Sequence, residues 1–89
     1  MKLVPGGMAA EAQQTLENTK AVLERHGSSM DQVVKCTVML ADIGEWGEMN
    51  KVYLTFFRSH RPARSAFGTN GLALDARIEL ECMAVRKPG

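Results

Sequence analysis

The spacing of apolar residues predicts two helices. Across residues 8–26 apolar side chains recur every three or four positions, which is typical of a helix with one buried face. Gly27 follows the basic pair Arg25 and His26, and this is a typical helix end. Asp42 and Glu45 have the spacing of a capping box, which predicts a second helix from about residue 44 to 58. The predicted apolar stripes are Met8, Ala12, Leu16, Thr19 and Leu23 in the first helix, and Trp46, Met49, Val52, Tyr53, Phe56 and Phe57 in the second.

Alternation of apolar and polar residues predicts three strands, at residues 33–40, 63–67 and 77–85. In the first and third of these strands, at residues 33–40 and 77–85, one face is expected to be apolar and the other mixed. The apolar set is Val34, Cys36, Val38, Leu40, Ile78, Leu80, Cys82 and Ala84, and the mixed set is Val33, Lys35, Thr37, Met39, Glu79, Glu81, Met83 and Val85. This order of elements predicts a single α/β (α+β) domain, with both helices on one face of a mixed sheet.

The mixed face of the sheet predicts self-association. It is too apolar for open solvent and too charged for an ordinary core, and both predicted helices are needed on the other face. A chain of 89 residues also buries little more than ~60% of its unfolded surface, and oligomerisation is a common remedy. We therefore expect the sheet of another copy to cover this face.

Composition narrows the function classes. The net charge of +1 argues against an extended nucleic-acid surface, which usually shows a clustered basic excess. No stretch has the length of a membrane span or the pattern of a signal peptide, so the cytoplasm is the expected compartment. Cys36 and Cys82 are expected to be reduced core thiols, although a disulfide between them stays open. They lack the ligand spacing of a zinc site, and no metal is expected.

Arg64 and Glu79 are the first candidates for chemistry. Arg64 lies on the second predicted strand and Glu79 on the third, so a shared sheet would place a guanidinium near a carboxylate. That pair suits a small anionic substrate, because arginine binds a carboxylate through two parallel hydrogen bonds. A structural salt bridge is the alternative interpretation. Asn50, on the flank of the second helix, is either solvated or faces a cleft, and His26 is explained as a cation at a helix end.

Several segments together resemble one known family. They include Met-Asn-Lys-Val-Tyr at 49–53, Pro-Ala-Arg-Ser at 62–65 and Ile-Glu-Leu-Glu at 78–81. With the Gly-Ser-Ser-Met-Asp-Gln-Val-Val-Lys-Cys segment from residue 27, they resemble the Rid or YjgF family of reactive-intermediate deaminases. Older labels for that family are endoribonuclease and translation inhibitor. The similarity covers nearly the whole chain.

The resemblance implies a chorismate-mutase-like fold and a homotrimer with active sites in the three clefts between subunits. It implies hydrolysis of small 2-imino acids to 2-keto acids and ammonia, with no metal or cofactor. By position, Arg64 matches the residue that holds the substrate carboxylate, and Glu79 matches the acid that orients or activates water. Asn50 matches a polar residue of the same cleft.

The chain departs from the family pattern at its start. The family usually opens with a β-hairpin, whereas here only residues 1–7, read as a loop or the tail of a strand, precede the first helix. We therefore expect an N-terminally truncated domain. Its last strand would be an exposed edge, which is an aggregation hazard, unless residues 1–5 or another chain supply a strand beside it, or the sequence is a fragment of a longer protein. Ala66 stands where the family often has cysteine, and Ala73 where proline is common.

Two other functions stay open at this point. A trimer that lacks the opening hairpin could bind small carboxylates or protein partners without catalysis. RNA cleavage is the weaker alternative, because the charge is nearly neutral and no paired histidine or lysine base is evident.

Overall fold

The computed structural model describes residues 6–58 and 60–86. The elements are α1 (Gly7–Arg25), β1 (Val33–Leu40), α2 (Trp46–Phe56), β2 (Ala63–Gly68) and β3 (Ile78–Ala84), with short 3₁₀ turns at Met30–Gln32, Ile43–Glu45 and Ala73–Asp75. The predicted fold, two helices on a mixed sheet, is confirmed. Of residues 1–7, predicted as a loop or the tail of a strand, residues 1–5 lie outside the described part of the chain.

The sheet has the order β2-β1-β3, with β1 in the centre. β1 is parallel to β2 and antiparallel to β3. A parallel neighbour requires a crossover connection, and α2 supplies it between β1 and β2. Among the described strands, β3 pairs on one side only, with β1.

The core lies between the helices and one face of the sheet. Its most buried members come from the predicted apolar stripes and from every second residue of β1: Met8, Ala12, Leu16, Met49, Tyr53, Phe57, Cys36, Val38 and Leu40. Trp46 was also predicted in the second stripe, but it lies in the first turn of α2 and is 36% exposed. The prediction was wrong at the start of β1, where Val33 is buried and Val34 is 48% exposed. A register shift between Val33 and Lys35 exchanges the two faces there, as a β-bulge does.

The expectation of two reduced thiols was also wrong. Cys36 and Cys82 form a disulfide. They are direct partners across the antiparallel β1–β3 pair, and their Cα atoms lie 4.1 Å apart. Sequence spacing alone cannot show this, because the strand register decides whether two cysteines face each other.

One charged residue of α1, Glu11, is buried to 8% exposure. One carboxylate oxygen accepts a hydrogen bond from the Arg77 backbone N–H at 3.0 Å. The other lies 3.4 Å from Arg77 Nε. Glu11 therefore joins α1 to the residue that precedes β3, and it satisfies a backbone donor that would otherwise be unpaired.

Glu45 binds the same Arg77 guanidinium at a different nitrogen atom. Its carboxylate accepts from Arg77 Nη1 at 2.9 Å. It therefore does not reach back to close the predicted capping box. The Asp42 half of that box is present, since its side chain accepts from the Gly44 N–H at 2.9 Å. Arg77 thus fixes the start of β3 against both helical segments.

We predict that Glu11→Ala lowers the free energy of unfolding by about 2 kcal/mol, because a buried charge-assisted acceptor is lost. Glu17→Ala is the matched control. It makes the same exchange on the same helix, but Glu17 is exposed and accepts only from Gln13, so its effect should stay within about 0.5 kcal/mol. Urea denaturation measures both, and equal losses would show that the Glu11–Arg77 contact contributes nothing.

Candidate functional site

Arg64 is held against one face of α2. Its Cα is the β-sheet partner of Cys36, whose side chain lies in the helix-side core, so the Arg64 side chain also extends toward the helices. The guanidinium carbon lies 4.6 Å from the centre of the Tyr53 ring and 5.1 Å from that of Trp46. Both distances are within the range of cation–π attraction.

Asn50 completes the Arg64 seat, the set of α2 side chains that contact the guanidinium: Trp46, Asn50 and Tyr53. Its side-chain oxygen accepts a hydrogen bond from Arg64 Nη1 at 2.5 Å. Trp46, Asn50 and Tyr53 are spaced four and three residues apart, which places them on one face of a helix. Of the two interpretations of Asn50, the structure supports the residue that faces a cleft.

The N–H groups of Arg64 are only partly used. A guanidinium has five N–H donors, and Asn50 takes one. Within residues 6–58 and 60–86, no carboxylate pairs with Arg64. The remaining donors border an open pocket of about 350 Å³ lined by Asn50, Tyr53, Leu54, Arg61, Pro62 and Arg64. With two arginines and no acid in its lining, this pocket suits a small anion.

Glu79 lies elsewhere. It pairs with Met39 on β1, its side chain is exposed, and its neighbour Ile78 is buried in the core. Alternation along the strand therefore points Glu79 away from the helices. Arg64 and Glu79 occupy opposite faces of the sheet with β1 between them. The expectation that a shared sheet places them side by side does not hold within one chain.

Tyr53 and Trp46 were predicted only as core residues, and their contact with Arg64 was missed. Tyr53 is 3% exposed, and its buried hydroxyl has no hydrogen-bond partner among the described residues. Burial raises the pKa of Tyr53 above its ordinary value of 10.0, and the nearby Arg64 charge opposes this more weakly. The spacing of Trp46, Asn50 and Tyr53 was the available signal for this contact, because it places all three side chains on one face of α2. Only the position of β2, which carries Arg64, shows what that face meets.

The described residues hold no group of three or more His, Cys, Asp or Glu side chains arranged to bind a metal ion. The expectation that the site works without metal or cofactor stays a prediction. No helix in the same part of the chain is both long and apolar enough to cross a membrane.

The architecture, two helices on one face of a mixed sheet with an arginine seated against the second helix, is consistent with the chorismate-mutase-like fold. A sequence model described as Endoribonuclease L-PSP matches residues 1–86. The chain belongs to this family, which is the Rid or YjgF family.

Individual relatives agree with this assignment. The chain is 45% identical to a rat 2-iminobutanoate/2-iminopropanoate deaminase, over 98% of this chain and 64% of the rat protein. A yeast crystal structure, YEO7_yeast, is 43% identical with a TM-score of 0.94, over 97% of this chain and 69% of that one. The E. coli protein TdcF with bound serine is 33% identical with a TM-score of 0.88, over 94% and 68%. The chain thus spans just under two thirds of the length of the rat relative.

The single tyrosine of the chain allows a direct test of the Arg64 seat. We predict that the ultraviolet absorbance of phenolate appears with a midpoint above pH 10, because burial disfavours the charged form. Arg64→Gln should raise that midpoint further, because it removes the charge that stabilises the phenolate.

The same shift predicts how stability changes with pH. The folded state holds the phenol proton more tightly than the unfolded state does. Below about pH 10, Tyr53 therefore makes its full contribution to the free energy of unfolding. That contribution is lost as the pH rises through the folded-state pKa of Tyr53. A midpoint at or below the ordinary tyrosine value would contradict the buried position of this hydroxyl.

Proposed function

We propose that this chain hydrolyses small 2-imino acids, and their enamine tautomers, to 2-keto acids and ammonia. The observation that supports this most strongly is the seated Arg64 guanidinium, with N–H groups free toward a small pocket. The name of the rat relative describes the same reaction class. Serine, bound in TdcF, is a small amino acid with the carboxylate that such an arginine binds.

Each residue has a distinct role in the proposed reaction. Arg64 binds the substrate carboxylate through parallel hydrogen bonds, and Asn50 holds the guanidinium in place. An imine carbon is already electrophilic, so fixing it next to a water molecule supplies much of the acceleration. Glu79 takes a proton from the attacking water and returns a proton to the leaving nitrogen. No metal or cofactor takes part.

The balance of the reaction is simple. A protonated imine, with the carbon doubly bonded to NH₂⁺, adds one water molecule and gives a tetrahedral carbinolamine. Cleavage of the carbon–nitrogen bond then yields the ketone and NH₄⁺, with no change of oxidation state. One carboxylate can carry the proton in both steps, since it accepts in the first and donates in the second.

The opposite orientations of Arg64 and Glu79 support an active site between chains. We propose a homotrimer in which Arg64 of one copy and Glu79 of the next border the same cleft. The sheet face opposite the helices carries Glu79 and Met83, and Met83 is 62% exposed in the single chain. Packing of three such faces around a three-fold axis would cover these residues.

The family description names an endoribonuclease, which is the other activity to consider. Both histidines form hydrogen bonds with the backbone: Nδ1 of His26 with the Val22 carbonyl at 2.9 Å and Nε2 of His60 with the Val33 carbonyl at 2.7 Å. Neither lines the Arg64 pocket. The geometry therefore favours imine hydrolysis.

We predict that the protein accelerates 2-ketobutyrate formation when it is coupled to a threonine dehydratase that releases the imine. Arg64→Gln should lower kcat/KM at least about 30-fold, because charge-assisted hydrogen bonds to the substrate carboxylate contribute about 2 kcal/mol or more. The 2-ketobutyrate absorbance after derivatisation measures the rate.

Arg25→Gln is the control for this experiment. It removes the same charge at the exposed end of α1, away from the pocket, and should leave the rate unchanged. Equal rates with and without wild-type protein would overturn the deaminase proposal and favour a trimer that binds small carboxylates without catalysis.

A further inference from the structure

The pocket contains a second arginine that the proposed reaction does not require. Arg61 lines it together with Arg64, and none of the other lining residues is acidic. A single carboxylate is already matched by Arg64. The second positive charge therefore favours a ligand with a second negative charge.

The backbone of Arg61 is held in position from both sides. On one side, His60 is fixed by its hydrogen bond to the Val33 carbonyl. On the other side, Pro62 has a fixed φ and restricts the residue before it to extended conformations. Ala63 then begins β2, where it pairs with Lys35 of β1. Arg61 is thus held at the pocket rim, three residues before Arg64, although its side chain is exposed.

The charge of Arg61 is also unused within the described chain. No described carboxylate forms a salt bridge with it, whereas Arg77 is paired with both Glu11 and Glu45. An unpaired cation beside a small-molecule pocket is suited to determine specificity, because charge complementarity attracts the matching ligand and disfavours others.

We infer that the site prefers imines derived from acidic amino acids, that is, short 2-iminodicarboxylates. This inference rests on the proposed function. Arg64 binds the carboxylate next to the imine carbon, and Arg61 binds the distal one. Water adds to the imine carbon and ammonium leaves as before, so the product is a 2-ketodicarboxylate and the distal carboxylate is unchanged. Arg61 is a specificity-determining residue in this scheme, while Arg64 and Glu79 carry the reaction.

The test compares two imines generated in place by amino acid oxidases, with catalase present. One comes from glutamate, and the other from 2-aminobutyrate. We expect Arg61→Gln to raise KM for the dicarboxylic imine about fivefold, the scale of a solvent-exposed ion pair. Its kcat for that imine, and both constants for the monocarboxylic one, should stay unchanged.

Two controls separate a specific contact from a general charge effect. Arg58→Gln removes an exposed arginine nearby in the chain that does not line the pocket, and it should change neither KM. Raising the salt concentration should reduce the advantage of the dicarboxylic imine in the wild type, because exposed charges are screened. It should have little effect on that imine in Arg61→Gln.

The outcomes distinguish this inference from the proposed function. If the wild type hydrolyses the monocarboxylic imine and Arg61→Gln leaves the KM of the dicarboxylic imine unchanged, the inference is overturned and the proposed function stands. If neither imine is hydrolysed, the proposed function fails, and calorimetric titration with 2-ketoglutarate and 2-ketobutyrate tests the pocket alone. Tighter, Arg61-dependent binding of 2-ketoglutarate then supports two anion subsites, and equal binding overturns them.

Discussion

The guanidinium of Arg64 is held by two aromatic rings and one amide, and the candidate site depends on this contact. The rings of Tyr53 and Trp46 attract the charge without consuming its N–H donors. Asn50 consumes one donor and fixes the rotation of the plane. The other donors are left for a ligand in the pocket that Arg64 lines. Lysine could not replace this group, because its ammonium lacks the planar fork that pairs with a carboxylate and stacks on a ring.

The seat of Arg64 depends in turn on how the chain crosses the sheet. β2 lies parallel to β1, so the chain must return over one face of the sheet, and α2 makes that return. This brings Trp46, Asn50 and Tyr53 over the strand that carries Arg64. On the other side of β1, Glu11 and Glu45 hold Arg77, which directly precedes β3 and lies two residues before Glu79. The same sheet therefore positions both candidate residues and also separates them.

Local pattern was sufficient to predict the helices and strands. The periodicity of α1 and α2 and the alternation of the strands are properties of neighbouring residues, and they predicted where these five elements lie. Arg64 and Asn50 were also identified, and the structure places them in contact. The bulge that buries Val33 instead of Val34, and the disulfide between Cys36 and Cys82, depend on strand register, which no local pattern encodes. The burial of Glu11 depends on a partner 66 residues away.

The relation between Arg64 and Glu79 was the most consequential difference. A shared sheet was expected to bring them together, but their positions in the β1 register place them on opposite faces. Their residue types were therefore informative about chemistry, while their distance in one chain was not. The proposed active site therefore requires two chains, and catalysis should depend on assembly.

Mixing two inactive variants tests this requirement most directly. Arg64→Gln and Glu79→Gln would be unfolded together in equal amounts, refolded, and checked by light scattering for assemblies of about three chains. If each cleft takes Arg64 from one copy and Glu79 from the next, random assembly makes about one cleft in four intact. We predict deaminase activity near that fraction of wild type. Activity no greater than that of the separate variants would contradict a site shared between chains.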